Sequence, residues 1–395
     1  MTLVYFRLIA AACAGLLAST CAHADLSGNL QLHGFASQGA VQTSANRFYG
    51  NSPDTSFDFT EIGVTASWRL NPRLLLAAQA LSRRAGEMSD GSPELDFALA
   101  DINLIATDTH RAGLRIGRMK NRLGLYNETR DVPFTRPGIF LPQVVYFHKV
   151  RNLVLSTDGV QLYGELYRPF GTLSATLASG RPVIDENVEA ALLRSNIPGQ
   201  MKDRENSWLA SLWFQSPAER LKLGLSGAAI ALQQDWRLTP KTPTVDLLYW
   251  IASAQYNGPN WTISSEYMGL PTRWRDFSPV RPNRNQTTEG YYAQLTYRLA
   301  QPFELMLRYE EGFADRDDRD GTQLERLTQG MIPSQASSSR ILSLGLRWDI
   351  SRQWMLRAEY QRHNGNFILS EIENPDFRRF DKHWDLFAIQ AAFRF

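Results

Sequence analysis

The sequence predicts an all-β fold: a transmembrane antiparallel β-barrel of about 16 strands, with long loops at one end and short turns at the other. Three observations lead there. Hydrophobicity alternates with a period of two along successive runs, the connectors between runs alternate short and long, and aromatic residues collect near run ends. Beyond the N-terminus there is no helix-period pattern of any length, nor any apolar stretch long enough for a transmembrane helix.

In chain order, residues 1–24 come first: Arg7, an apolar run from Leu8 to Leu17, then Ala22-His23-Ala24. This pattern reads as a cleaved secretory signal, too short to span a bilayer. Cys21 raises a lipoprotein alternative, but Ser19-Thr20 before it makes a poor lipidation motif. Residues 25–395 are then a single barrel domain. Cys13 and Cys21 are the chain's only cysteines and leave with the signal, which excludes disulfides, thiolate metal sites and cysteine nucleophiles from the mature chain. A net charge of +2 gives no reason to expect a nucleic-acid partner.

The alternation is clearest in the second half. Leu295, Tyr297 and Leu299 alternate with Gln294, Thr296 and Arg298, and Phe303, Leu305, Leu307 and Tyr309 with Glu304, Met306, Arg308 and Glu310. Leu342 to Trp348 and Trp354 to Tyr360 repeat the pattern. Short connectors fall at Leu70–Pro72, Asp108–His110, Arg168–Gly171, Gln215–Glu219, Asn257–Pro259, Ala300–Pro302 and Asp349–Arg352. Long ones fall at 39–56, 85–93, 121–157, 181–204, 236–245, 271–287, 315–337 and 364–381. A soluble sandwich would also alternate, but its connectors need not, and aromatics need not sit at strand ends as Trp68, Tyr297, Tyr309, Trp348, Trp354 and Tyr360 do. Hydrocarbon cannot satisfy an open sheet edge, so the sheet must close. A closed sheet of this size leaves an aqueous interior, lined by the polar phase.

The third long loop, 121–157, carries Phe134, Ile139, Phe140, Leu141, Val144, Val145, Tyr146 and Phe147. These need burial, and the barrel interior is the place available, so the loop is expected to fold inward and narrow the lumen. The last strand, "HWDLFAIQAAFRF", puts Phe387, Ile389, Ala391, Phe393 and Phe395 on the lipid phase, with Trp384, Leu386, Gln390 and Arg394 on the other. It is expected to pair with the first strand near Leu26 to Phe35.

With the signal, the strand and loop alternation, the longest loop third and a terminal Phe395, the mature chain resembles the sixteen-stranded porins of Gram-negative outer membranes. "GRMKNRLGL", Gly117 to Leu125, is similar to the strand leading into the third loop of phosphate-selective porins. The resemblance implies an outer-membrane channel for passive diffusion of small polar solutes, with the third loop as constriction. It implies three barrels associating as a homotrimer amid outer-membrane lipid and lipopolysaccharide. It also implies that Phe395 is the terminal aromatic read by the barrel-assembly machinery. The arginine ladders of a strongly anion-selective member are not evident, so the solute does not carry over.

Around the third loop, Arg115, Arg118, Lys120, Arg122, Arg130 and Arg136, with Lys149 and Arg151, face Glu128, Asp131 and Asp158 as candidate constriction charges. Lumen-wall candidates are Lys222, Arg298, Arg308, Arg347, Arg357 and Arg394, offset by Glu165, Glu266, Glu304, Glu310 and Glu359. Unbalanced charge in a narrow, low-dielectric passage biases the permeating ion, so a mild preference for anions is expected. The competing expectation is that these charges pair across the lumen and hold the wall together. Passive flow needs no cofactor, metal or catalytic residue.

Weaker signals fit bland readings. "DRDDRDG" from Asp315 to Gly321 breaks the calcium-loop pattern at Arg319 and reads as a solvated loop. Arg273, Arg275, Arg281 and Arg284 could grip lipopolysaccharide phosphates or form an exposed basic loop. No G-x-S-x-G or H-E-x-x-H occurs, and His363 falls on the lumen phase without a serine partner, which weakens a barrel-hydrolase reading. An adhesin or assembly scaffold with little conductance stays open.

Overall fold

Period-two patterning becomes strand after strand in the computed structural model, which describes residues 28–193, 199–235, 241–278 and 282–395. The expected signal segment, and Arg281, lie outside the described residues. The strands are β1 (Leu30–Thr43), β2 (Ser56–Asn71), β3 (Leu74–Ala85), β4 (Asp90–Ala106), β5 (His110–Lys120), β6 (Ser156–Arg168), β7 (Gly171–Pro182), β8 (Met201–Asp203) and β9 (Ser207–Gln215). There follow β10 (Leu221–Gln234), β11 (Thr244–Asn257), β12 (Trp261–Arg275), β13 (Arg284–Ala300), β14 (Phe303–Phe313), β15 (Ser338–Asp349), β16 (Trp354–Gly365) and β17 (His383–Arg394). Among the described residues three short α-helices sit in loops: α1 (Arg151–Leu155), α2 (Glu186–Leu193) and α3 (Thr322–Leu327). Among the described residues, no helix is long and apolar enough to cross a membrane.

Every neighbouring pair is antiparallel, and the short β8 and β9 share one place beside β10, giving a closed barrel of 16 strands. Closure runs through β1 and β17, from Phe35 opposite Arg394 to Thr43 opposite Leu386. At the seam, the Phe395 N–H donates to the Gly34 carbonyl at 3.0 Å, and the Gly34 N–H donates back at 3.1 Å. The chain therefore ends by completing the ladder, so no edge is left open there.

Phase decides which side chains meet the interior. Leu295, Tyr297, Leu305, Leu307, Leu344, Leu346, Phe387, Ile389 and Phe395 point outward and are exposed, while their neighbours Gln294, Arg308, Ser343, Glu359 and Gln390 point inward and are buried. All six aromatics read as strand-end residues, Trp68, Tyr297, Tyr309, Trp348, Trp354 and Tyr360, are outward and exposed.

The second long connector is much shorter than its expected 85–93. Only residues 86–89 separate β3 from β4, because β4 keeps pairing with β3 through two register shifts, at Gln79/Ala80 and Ser82/Arg84. A bulge shifts the alternation by one residue and so disguises strand as loop.

Candidate functional site

The longest connector lies between Lys120 and Ser156, and its apolar stretch is inside the barrel. Ile139, Phe140, Leu141, Val144, Val145, Tyr146 and Phe147 are buried there, packed with Phe48, Tyr49, Phe59, Tyr249, Tyr292 and Trp384. Phe140 stacks on Phe59 with ring centroids 5.6 Å apart and meets Tyr49 edge-on at 5.7 Å. Regular secondary structure occupies little of this segment, so most of its backbone N–H and C=O groups need partners from elsewhere.

The barrel wall supplies those partners, and it does so by charge. Inward carboxylates accept loop N–H groups. Glu359 of β16 takes Ile139 at 2.6 Å and Phe140 at 3.2 Å, Glu310 of β14 takes Val144 at 3.2 Å, and Glu266 of β12 takes Leu125 at 2.8 Å. Inward arginines donate to loop carbonyls: Arg308 to Phe140 at 3.1 Å, Arg347 to Phe134 at 3.2 Å, and Arg357 to Arg136 at 3.1 Å and to Gly138. Glu266 also accepts from the Tyr146 hydroxyl at 2.6 Å and the Tyr292 hydroxyl at 2.8 Å. An orphaned buried polar group costs about 1–3 kcal/mol, so these side chains decide whether the loop can be buried at all.

The wall also makes room. Gly290 of β13 and Gly312 of β14 are cross-strand partners, and both lie against Val144. A Cβ at Gly290 would strike the Val144 carbonyl, and one at Gly312 would stand 2.8 Å from the Val144 side chain. Gly290→Val is therefore expected to push the loop tip off the wall while leaving the barrel closed. Limited proteolysis should then cut within 121–155 at rates that leave the parent intact.

Further along, ion pairs tie the loop base down. Lys120 bridges Asp96 at 2.5 Å and Asp131, which in turn receives Arg151. Burial would push the Asp131 carboxyl up, but Arg151 and Lys120 outweigh it and hold its pKa well below the usual carboxylate range. Arg136 grips Glu61 of β2 with two bonds, at 2.5 and 3.1 Å. Arg130 is buried on Asn127 and the Tyr146 carbonyl, and burial with the neighbouring Arg151 brings it down to about 10. Among the described residues neither Arg130 nor Arg83 has a carboxylate within ion-pair distance, so positive charge is left over behind the loop.

His148 sits beside that excess, its Nδ1 2.9 Å from the Tyr49 hydroxyl and 3.4 Å from the Arg83 guanidinium. Burial first, and then Arg83, Arg130, Arg151 and Arg136, press its pKa well below the ordinary value. Undocked, the ring would titrate near about 6.5. A depressed folded-state value means that this contribution to docking is complete above about pH 6.5 and declines as pH falls below it. Cleavage of the loop by an acid-tolerant protease should rise from pH 6.5 to 5 in the parent. In His148→Gln the rise should be flatter.

The predicted site residues fall into three groups. Lys120, Arg130, Asp131 and Arg136 join the buried anchor just described, and Arg308, Glu310, Glu359, Arg347 and Arg357 are the wall groups that hold the loop. Arg115, Arg122, Glu128, Lys222, Arg298 and Glu304 keep exposed surface. Arg115 pairs with Asp101 at 3.1 Å, and Arg298 with Glu304 at 3.0 Å. Arg122 lies 3.7 Å from Glu128, and its guanidinium and the Lys222 ammonium both lie over Trp213, at 5.3 and 4.9 Å from the ring centre.

Arg118 belongs to neither lumen group. It shares the outward phase of β5 with exposed Ile116 and forks onto Asp158 with two bonds of 2.7 Å. It also donates to the Leu95 carbonyl at 3.0 Å, closing the place where β4 and β5 stop pairing beyond Ala98. Outward positions Arg118 and Ile116 are two apart in sequence, a signal available from spacing alone.

Glu61, Asp96, Tyr49, Tyr146 and His148 do as much as the predicted residues. Glu61 was legible as the inward member of alternating "FTEIGV", whereas Asp96 was hidden by the β4 bulge. His363 is inward as expected, stacked on Trp384 with ring centres 3.7 Å apart and 3.0 Å from the Gln361 side-chain oxygen.

No protein-family model matches the chain, and no curated protein sequence is detectably similar to it. Solved structures are similar in shape. DcaP, an outer membrane channel of Acinetobacter baumannii, is 12% identical with a TM-score of 0.56, over 93% of this chain and 97% of that one. An anion-selective porin from Comamonas acidovorans is 10% identical with a TM-score of 0.54, over 92% and 98%. The trimer form of OmpT, an outer membrane protein of Vibrio cholerae, is 12% identical with a TM-score of 0.54, over 93% and 99%. The fold is of the porin type. At these identities the likeness establishes the fold alone.

Proposed function

We propose that the chain is a channel of a bacterial outer membrane, through which small polar solutes diffuse past a constriction made by the third loop, anions by preference. The observation that carries this reading is the loop itself, folded into a closed 16-strand barrel and held by carboxylates on its N–H groups and arginines on its carbonyls. The outward apolar face suits hydrocarbon, and the closed ladder suits a medium that cannot hydrogen-bond an edge. Long loops then face the exterior and short turns the periplasm.

Charge left beside the loop supports the anion preference. On the β5 to β10 side, half-buried Arg115, Arg122 and Lys222 stand against Asp101 and Glu128, and behind the loop neither Arg83 nor Arg130 has a carboxylate within ion-pair distance among the described residues. Fields focus in such a confined, low-dielectric place. Diffusion of this kind needs no cofactor and no catalytic residue. The trimer form of OmpT supports a homotrimer here, with lipopolysaccharide and lipid around it. Exposed Phe395, closing the ladder, suits a terminal signal for the assembly machinery. Residues 1–24 would direct the chain across the inner membrane and be removed by cleavage after Ala24.

A second reading, a scaffold or adhesin with little conductance, is favoured by one observation: the loop tip is fully buried inside the barrel, in one apolar cluster with wall residues of several strands. Liposome swelling separates the two. Entry of small sugars and organic acids, faster for acids, supports the channel; exclusion of every solute supports the scaffold.

A further inference from the structure

We infer that the long-loop mouth of the barrel holds a binding site for an apolar-bodied solute of no net charge, a zwitterion or neutral amphiphile about the size of a small peptide. A cavity of about 640 Å³ lies there, above the third loop. That is within the range of about 300–1,000 Å³ typical of sites for organic ligands. Its walls are unlike those of a simple aqueous funnel. Phe147 of the third loop and Phe367 meet edge-on with centroids 5.3 Å apart, and Leu270 and Trp274 of β12 continue the apolar wall. Leu324 and Leu327 of α3 and the nearby Ile332 face them across the opening.

Two details indicate a ligand with a substantial apolar body. Leu327 is 75% exposed, although it stands on the margin of an apolar cavity that could cover it. The Trp274 indole N–H is committed to the Leu192 carbonyl at 3.2 Å, so its ring offers the cavity carbon surface. Burying the exposed Leu327 side chain is favourable by about 1.5–3 kcal/mol, and a small polar solute would gain none of it.

The polar lining fixes the charge class. Among the described residues its cations are Lys149 and Arg284, and its carboxylates are Asp315 and Asp318. Lys149 is held by the Phe367 carbonyl at 2.8 Å and Glu371 at 3.2 Å, and Arg284 lies 3.6 Å from Asp315. Asp318 accepts the Gln323 and Leu324 N–H groups at 3.1 and 2.8 Å. Lys149 and Arg284 are each already answered by a carboxylate, and Asp318 by two N–H groups, so a net charge on the ligand would gain little counter-charge. Thr272, Gln286 and Thr288 add neutral hydrogen-bonding groups from β12 and β13.

Binding can be measured without transport, so its outcome is independent of the channel reading. Full-length protein in liposomes is dialysed to equilibrium against radiolabelled Phe-Leu dipeptide, with protein-free liposomes correcting for lipid partition. Saturable retention is expected, with Gly-Gly retained at least about tenfold less, the loss of one buried side chain's worth of contact. Leu327→Asp, at an exposed position, should weaken retention by about tenfold, and Thr288→Trp should do so by filling the cavity from the opposite wall. The heat-modifiable electrophoretic shift of a folded barrel reports that each variant is intact. Equal retention of Gly-Gly, non-saturable retention, or unchanged retention in both intact variants would overturn the site. Tighter retention of the anionic N-acetyl dipeptide would overturn its charge class.

Discussion

Arg308→Ala is expected to cost about 3–5 kcal/mol and to release the third loop, because it strands two buried carboxylates. The Arg308 guanidinium meets Glu310 at 2.9 Å and Glu359 at 3.1 Å, and none of the three has exposed side-chain surface. It also donates to the Phe140 carbonyl at 3.1 Å, so the change removes a loop anchor directly. Denaturation of the folded barrel, followed by tryptophan fluorescence, measures the cost, and proteolysis within 121–155 measures loop release. Adding Glu310→Gln and Glu359→Gln to the alanine variant should recover a good part of the loss, since the penalty lies in the stranded charges. A cost below about 0.5 kcal/mol, the range of ordinary surface substitutions, would show that the loop is held by its apolar contacts alone.

The second large effect concerns ions. Arg122 and Lys222 converge on Trp213, and among the described residues Glu128 is the carboxylate within ion-pair distance of Arg122. Arg122→Glu together with Lys222→Glu reverses the accessible charge on that side of the loop. The anion-to-cation permeability ratio should fall by about tenfold, the low end of what focused fields give, and each single change should fall between. Reversal potentials in a salt gradient read this directly. An unchanged ratio in the double variant would place the passage elsewhere in the lumen.

Strands were legible wherever alternation ran unbroken, as from Leu295 to Tyr309 and from Trp384 to Phe395, because one face meets apolar surroundings and the other does not. The connector after β3 was misjudged because bulges shift phase, and a two-residue rule cannot see a shifted register. The inward course of the third loop was legible from its apolar composition. Its docking was not: Glu61, Glu266, Glu310 and Glu359 lie on distant strands, and only the closed barrel brings them to one segment. The same holds for Lys120. It shares the outward phase of Arg118, yet it reaches Asp96 and Asp131 because β4 and β5 part above Ala98.

Whether the barrel conducts, and which ion it prefers, is read most directly from the current through purified protein in a planar bilayer under a potassium chloride gradient. Discrete conductance steps are expected, with a reversal potential on the chloride side of zero and larger steps when Gly290→Val displaces the loop. A silent bilayer, or a reversal potential on the potassium side, would contradict the proposed function.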